Sequence, residues 1–540
     1  MENKPDEKRG IDLPPCATEF IRQVLRRMWY RRKARRDVQA ELTAHFEDAV
    51  RDCATVEEKE RRARELIEGF GDAKLLASLC HRAKKRCRPL WLKALLRSGQ
   101  GLGLALLYCV VCVLPLSLGR PTIRVNYVEW LSNHWRPEAQ NVENAAVCYD
   151  KAAELLVRPS PVLEEKMNLR RWSAVGYADS DAQSIEDWLA KNQAAFNALR
   201  QGANMPYCWP TYDSNESASI ETSIVGKEME SLSRRRHMMF AFKQQIAWEA
   251  RRGEVGQALD DCLVLRQFGR HLQNKGSLNG QLTGIAIESI SYDGIVALLS
   301  AFEVSPAVLE HIQKEVASRF DRNRQVVDLA CEKAFWLDRI QRTFTDDGRG
   351  GGHALRQGFP YAPGDWKDNL LNTLRFRYPD RRETVAMVER YFQWAQHRLN
   401  AAPGAQDNAE PSPSLPMSAL NIFFSIVTPT YERVAQQAWR LKTHESGVIT
   451  LLAIQRYFRA NGSYPDNLGR LVEQGLLKEP LQDPFGRGTL GYRKMDTGFV
   501  LYSWGANRQD DGGRWGTDSK GKPRMWADNG DWVFWPVGEP

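Results

Sequence analysis

Apolar positions in this chain recur mostly three and four residues apart, the spacing that puts them on one face of a helix. Phe20, Ile21, Val24, Leu25, Met28 and Trp29 form one such stripe, and Val38, Leu42, Phe46 and Val50 form the next. A third helix is predicted from about Val56, carrying Leu66, Ile67 and Phe70. "GFGDAK" (Gly69–Lys74) breaks it before Leu75, Leu76 and Leu79. The same spacing returns in Glu143–Val157, in Ser184–Gly202, and in Met238–Gln273, which reads as two helices joined at Gly253. "MSALNIFFSIVTP" (Met417–Pro429) reads as a short buried helix. A longer one comes next, with Val448, Leu451, Leu452, Ile454 and Phe458 on one face, and Asn461-Gly462 ends it as a left-handed cap. Beyond a short helix (Leu468–Leu477) the period changes from helical to alternating. Strands are predicted at Gly491–Lys494 and Phe499–Trp504, joined as a hairpin through "MDTG", and at Asp531–Pro536.

One run has no polar face at all. "GQGLGLALLYCVVCVLPLSLG" (Gly99–Gly119) lacks any charged residue, and about twenty apolar residues suffice to cross a hydrocarbon core of about 30 Å. A helix buried in a protein core is the competing assignment. The expected fold class is therefore a mostly α, multidomain, single-pass membrane protein with a small α+β domain at its C-terminal end. Its expected parts are a cytoplasmic helical bundle at 1–88, a transmembrane helix at 98–119 and an extracytoplasmic helical domain at 120–400. A linker at 401–416 ("AAPGAQDNAEPSPSLP", with four prolines) and an α+β domain at 417–540 complete the chain.

Charge gives this division a direction. The 540-residue chain has a net charge of +8. Residues 1–100 hold 24 Lys and Arg against 16 Asp and Glu, so the whole excess precedes the apolar run. His81–Arg97 alone carries seven Lys and Arg and no acid, which by the positive-inside rule places the N-terminus in the cytoplasm and residues 120–540 outside. "WYRRKARRD" (Trp29–Asp37) is basic enough for a DNA-contacting helix, but basic residues just inside a membrane meet anionic headgroups, and no nucleic-acid partner is expected. Cys148, Cys208, Cys262 and Cys331 would then face an oxidising space, either in one of three pairings or as buried thiols.

Catalytic chemistry is hard to find. The chain has no H-E-x-x-H, no G-x-S-x-G, and no Cys/His pair at zinc spacing. "DDGRGGGH" (Asp346–His353) lacks G-K-[ST] and reads as a loop. "MPYCWPTYDS" (Met205–Ser214) has the aromatics and prolines to line a groove or to pack as an ordinary loop. No catalytic residue and no small-molecule substrate is assigned.

Two segments resemble known families. "ELTAHFEDAV" (Glu41–Val50) and "ELIEGFGDAKLLASLC" (Glu65–Cys80), with their H-x-E-D and F-G-D-x-x-x-L-A spacings, resemble the HAAS or permease-prefix helical domain, which implies an accessory cytoplasmic module. "AIQRYFRANGSYPDNLGRLVEQGLL", "DPFGRG", "GYRK", "GFVLYSWGANRQDDGG" and "DWVF", in that order, resemble the globular domain of type II secretion major pseudopilins of the G type. That resemblance implies a helix on a three-stranded sheet and a calcium ion in the loop after the second strand. Calcium takes six to eight oxygen ligands. The expected metal set is Asp510, Asp511, Asp518, Asp528 and Asp531, with main-chain oxygens near Leu501 and Ser503. Asn507 stands where that family usually has Asp, and five cations (Arg508, Arg514, Lys520, Lys522 and Arg524) oppose another positive ion. The membrane run also lies far upstream of the resembling region, so assembly as a pseudopilin is not expected. The expected function is a non-enzymatic binding or scaffold protein of the bacterial envelope, with envelope or secretion-assembly proteins as partners. The alternatives are a transmembrane sensor coupled to a cytoplasmic regulator and a hydrolase with its site in the helical ectodomain.

Overall fold

The computed structural model describes residues 12–28, 32–86, 90–108, 110–111, 118–139, 141–167, 181–212, 219–355, 380–404, 413 and 419–537. The chain is mostly helical with one small antiparallel sheet, and it divides into two compact units, Met1–Cys112 and Val113–Pro540.

The first unit contains α1 (Pro15–Arg27), α2 (Arg32–Val50), α3 (Val56–Phe70), α4 (Ala73–Arg86) and α5 (Leu90–Tyr108). Val38, Leu42, Phe46 and Val50 recur every fourth residue and are all buried, and the rings of Phe20, Phe46 and Phe70 meet over them. Thr55 caps α3 by accepting from the Glu58 amide, while the Glu58 carboxylate accepts from the Ala54 amide. The F-G-D motif explains the break at the end of α3. Gly71 takes a left-handed φ of 70°, and the Asp72 carboxylate accepts the Lys74 amide to start α4. The apolar run begins within α5, which starts at Leu90, earlier than the expected 98. Leu102, Leu104, Leu106, Leu107, Val110 and Val111 all stand exposed, Leu102 by 73 %. Cys109 and the 112–117 portion of the expected span lie outside the described residues.

The second unit contains α6 (Tyr127–His134), α7 (Ala145–Leu155), α8 (Pro161–Met167), α9 (Ala182–Lys191), α10 (Gln193–Ala203), α11 (Gly226–Arg251) and α12 (Val255–His271). It continues through α13 (Leu278–Ala301), α14 (Pro306–Ser318), α15 (Ala330–Thr343), α16 (Arg381–Asn400), α17 (Ala419–Asn461) and α18 (Gly469–Glu473). The hairpin joint expected at Gly253 is there, at φ 82° between α11 and α12. Among the described residues, the one helix long and apolar enough to cross a membrane is α13. It carries Glu288 and Asp293, and most of it is buried within this unit's core. Helices α12 and α13 approach so closely that a Cβ on Gly269 would lie 2.6 Å from the Glu288 nitrogen and 2.7 Å from the Gly284 oxygen.

Strands β1 (Gly491–Met495), β2 (Gly498–Ser503) and β3 (Trp532–Trp535) form an antiparallel sheet in sequence order, with the hairpin closing at Met495 and Gly498. Phe499, Leu501 and Phe534 face the main core, whereas Val500, Tyr502 and Val533 are covered by Trp504 and Trp515 on the other side. Both faces of β2 are therefore buried.

Two expectations are corrected. The short helix expected at Met417–Pro429 and the longer one after it are a single 43-residue helix, α17, which runs through Pro429. The boundary expected at 401–416 does not separate two cores. Leu441, Val448 and Ile454 of α17, and Leu501 and Phe534 of the sheet, belong to the same apolar cluster as Phe196, Phe242 and Ile295. Residues 405–412 and 414–418 of the expected linker lie outside the described residues.

Candidate functional site

The loop after β2 carries the residues expected to hold a metal, and it brings only some of them together. Asp531 is buried, with its Oδ2 accepting from the Gly513 amide at 2.6 Å and its Oδ1 from the Asp511 amide at 3.3 Å. Burial pushes its carboxyl up to about 6, and the neighbouring carboxylates of Asp511 and Asp510 add to the rise. Asp510 accepts from the Tyr502 hydroxyl at 2.9 Å, and Asp511 accepts from the Asn507 amide group at 2.8 Å.

The others have different uses. Asp518 closes its own exposed turn by accepting from the Lys520 and Lys522 amides, and Asp528 accepts from Gln436. Leu501 is paired within the sheet, and the Ser503 hydroxyl donates to Asp483 at 2.8 Å. Among the described residues no three His, Cys, Asp or Glu side chains are arranged to hold a metal ion. The expected single shell is thus divided, with Asp510, Asp511 and Asp531 at one corner and Asp518 and Asp528 away from it.

Asp483, outside the expected metal set, explains the D-P-F-G sequence. Its buried carboxylate accepts from the Phe485 and Trp504 amides as well as from Ser503, tying the turn to the end of β2.

A second place, not anticipated, lies at the α12–α13 turn. Asn274 (φ 56°) and Gly276 (φ 72°) reverse the chain there, and Ser277 caps α13 by accepting from the Gly280 amide. Two cavities flank the turn, and His271 and Lys275 line both. The first, about 180 Å³, is also lined by Tyr149, Asp150, Cys208, Tyr212 and Arg235. The Met205–Ser214 segment therefore does line a groove, with residues 213–214 outside the described residues. The second cavity, about 560 Å³, is lined by Arg270, Arg319 and Arg324 together with Gln273, Asn274 and Gln325.

His271 is held on both sides, with Nδ1 2.7 Å from the Tyr149 hydroxyl and Nε2 2.6 Å from the Gln267 amide nitrogen. Burial lowers its pKa to about 3, and the charges of Lys275 and Arg319 push the same way, so the ring is neutral at pH 7. Burial raises the Cys208 thiol to about 11, and it lowers Lys275, whose Nζ donates to the Cys208 carbonyl at 2.7 Å. At neutral pH the thiol is protonated and so a poor nucleophile, and an imidazole of so low a pKa is a weak base.

Behind the larger cavity lies a buried ionic network. Arg266 donates to Glu445 at 2.7 Å, to the Tyr292 hydroxyl at 3.0 Å and to the Val316 carbonyl at 3.0 Å. Tyr292 and Gln273 donate in turn to the two oxygens of Glu288, at 2.9 and 2.6 Å. Arg324 meets Glu288 at 3.3 Å and Glu445 at 3.7 Å; Arg270 meets the same two carboxylates at 3.5 and 3.7 Å. Burial alone would raise Glu288, but Arg324, Arg270 and Arg266 outweigh it and hold the carboxyl below its usual range. The local sequence signal for this cluster is the Arg266-x-x-x-Arg270 pair at helical spacing in α12.

Among the described residues no disulfide is present, and Cys148, Cys208, Cys262 and Cys331 are all thiols. Compared with protein-family models, with curated proteins and with solved structures, the chain matches none.

Proposed function

We propose that this chain is a single-pass protein of the bacterial inner membrane, with residues 1–88 in the cytoplasm and the second unit outside, acting by binding rather than by catalysis. The observation that carries the reading is the bare apolar flank of α5. Six aliphatic side chains between Leu102 and Val111 are each more than half exposed, directly after a segment with seven Lys and Arg. Lipid is the surrounding that removes so much apolar surface from water. The binding surface in this reading is the cleft at the α12–α13 turn, and the sheet with its α17 backing is a pseudopilin-like head. The cleft's weakly basic histidine and protonated thiol support recognition in preference to group transfer. Envelope or secretion-assembly proteins are the proposed partners.

Fusing alkaline phosphatase or a fluorescent protein after residue 130 tests the topology. Phosphatase activity with a dark fluorescent fusion is expected, and the opposite pattern overturns the reading. Calcium is proposed only for the Asp510, Asp511 and Asp531 corner, where burial and the two neighbouring carboxylates raise the Asp531 carboxyl and a dication would relieve the repulsion.

A further inference from the structure

The geometry points to the larger cavity at the α12–α13 turn as a binding site for a small, multiply charged oxyanion, a molecule carrying phosphate, sulfate or carboxylate groups. This rests on the binding reading above and names what the cleft takes.

Four observations support it independently of sequence. First, Arg270, Lys275, Arg319 and Arg324 line the cavity and no carboxylate does. Second, the charges around it do not balance. Glu288 and Glu445 are the carboxylates of the network and pair with Arg266, Arg270 and Arg324, while Lys275 and Arg319 stand at the cavity wall, so five cations meet two carboxylates, an excess of three positive charges. Lys275 and Arg319 are bonded to neutral oxygens, the Cys208 carbonyl and the Gln267 side chain, and among the described residues neither has a carboxylate partner. Third, Arg270 Nη1, which faces Glu445 at 3.7 Å, and Arg324 Nε are buried without a hydrogen-bond acceptor. Buried donors ordinarily find partners, so the two carboxylates of the network do not satisfy its arginines and leave positive charge uncompensated behind the cavity wall. Fourth, Arg270 and Arg324 are held by Glu288 and Glu445, so their charge is fixed at the wall before anything binds.

At about 560 Å³ the cavity holds more than one phosphate-sized group. Gln273, Asn274 and Gln325 add neutral polar contacts at its wall. The network thus fixes the charge of two arginines at the cavity wall, and Lys275 and Arg319 supply further positive charge there.

The test uses the full chain in detergent, titrated calorimetrically with pyrophosphate, citrate and inorganic phosphate at constant ionic strength. One saturable site is expected, with pyrophosphate or citrate tighter than phosphate; which of the two is tighter separates phosphoryl from carboxylate ligands. Arg319→Ala and Lys275→Ala each weaken binding about tenfold, the loss expected for one charged hydrogen bond. Gln325→Glu, which adds a negative charge to the wall, abolishes it. Arg459→Ala, a surface arginine paired with Glu303 outside the cavity, binds like the wild type. No saturable binding of any probe, or binding indifferent to all three cavity substitutions, overturns the inference. A reporter fusion active outside together with failed titration would leave the anchored-protein reading standing, so the two failures are distinguishable.

Discussion

The acidic corner beside β3 and the arginine cluster behind the α12–α13 turn solve opposite electrostatic problems. The corner gathers charges of one sign, Asp510, Asp511 and Asp531, and answers them with backbone amides and a tyrosine hydroxyl. The cluster sets three arginines around two glutamates and shuts most of them away from water, answering charge with charge. The corner is built from one continuous stretch, Tyr502 to Asp531. The cluster draws on α12, α13, the segment after α14, and α17. A fault in the first is therefore local, whereas a fault in the second reaches every element that supplies a charge.

The largest effect is expected from breaking the cluster. Glu445 is 1 % exposed and contacts Arg266, Arg270 and Arg324, so Glu445→Gln leaves buried guanidiniums without their counter-charge. Removing one partner of a buried pair costs about 3–5 kcal/mol. A paired Arg266→Met, Glu445→Met variant should recover part of that loss, because no charge is then stranded. Denaturant midpoints of the two single variants and the double variant measure the coupling. Additive losses, with the double variant costing the sum of the two singles, would mean that the network acts as packing alone.

His444, on the same helix, gives the next effect. Both ring nitrogens are buried without a hydrogen-bond partner, among Tyr292, Trp526 and Phe534, with Asp293 at 3.7 Å and Arg440 nearby. Burial lowers its pKa to about 3, so below about 6.5 the unfolded chain takes up a proton that the folded chain refuses. The folded state therefore loses stability as pH falls from 6.5 towards 3. His444→Gln lacks this term, and its stability relative to the wild type should rise by about 1.4 kcal/mol per pH unit between pH 6 and 4. A difference that is flat with pH would show that the ring is protonated inside the fold.

Gly284→Ala comes third. A Cβ there would stand 2.6 Å from the Gly269 oxygen, forcing apart the two helices that bring Glu288 to Arg270. Overpacking of this kind costs about 1–3 kcal/mol. If the cluster depends on that approach, anion binding should weaken along with stability.

The same contrast explains what could be read from the sequence. The stripe Val38, Leu42, Phe46 and Val50 and the three strands were legible because period and turn residues are local facts, and the strand bounds agree within about a residue. The left-handed stop at Gly462 was legible for the same reason. Pro429 misled because proline ordinarily breaks a helix interior, and here α17 continues through it. The proline-rich stretch likewise suggested a domain boundary, yet α17 and the sheet beyond it share a core with Phe196 and Phe242, a distant relation that no local window reports. At the acidic corner the grouping of carboxylates could not be read locally, because Asp518 and Asp528 turn to nearer partners. The arginine cluster was invisible, since Arg266, Glu288, Arg324 and Glu445 are neighbours only after folding.

The smallest effect belongs to the corner, and it separates a bare acidic turn from a metal site. Asp531 has its carboxyl pushed up to about 6, so the folded chain holds this proton while the unfolded one loses it, and stability falls as pH rises from about 4 to 6 and then levels. Asp531→Asn removes that fall. At pH 7 the variant gains from reduced repulsion and loses one of two amide hydrogen bonds, which leaves a net change within about 1 kcal/mol. Calcium at pH 7 should raise the melting temperature of the wild type and of Asp518→Asn alike, because Asp518 serves only its own turn, and it should leave Asp531→Asn unmoved. If all three respond equally, the ion is held elsewhere. If none responds, the corner is closed by hydrogen bonds alone, and its likeness to the arginine cluster goes further: each would then be a charged group stabilised by partners the chain itself provides.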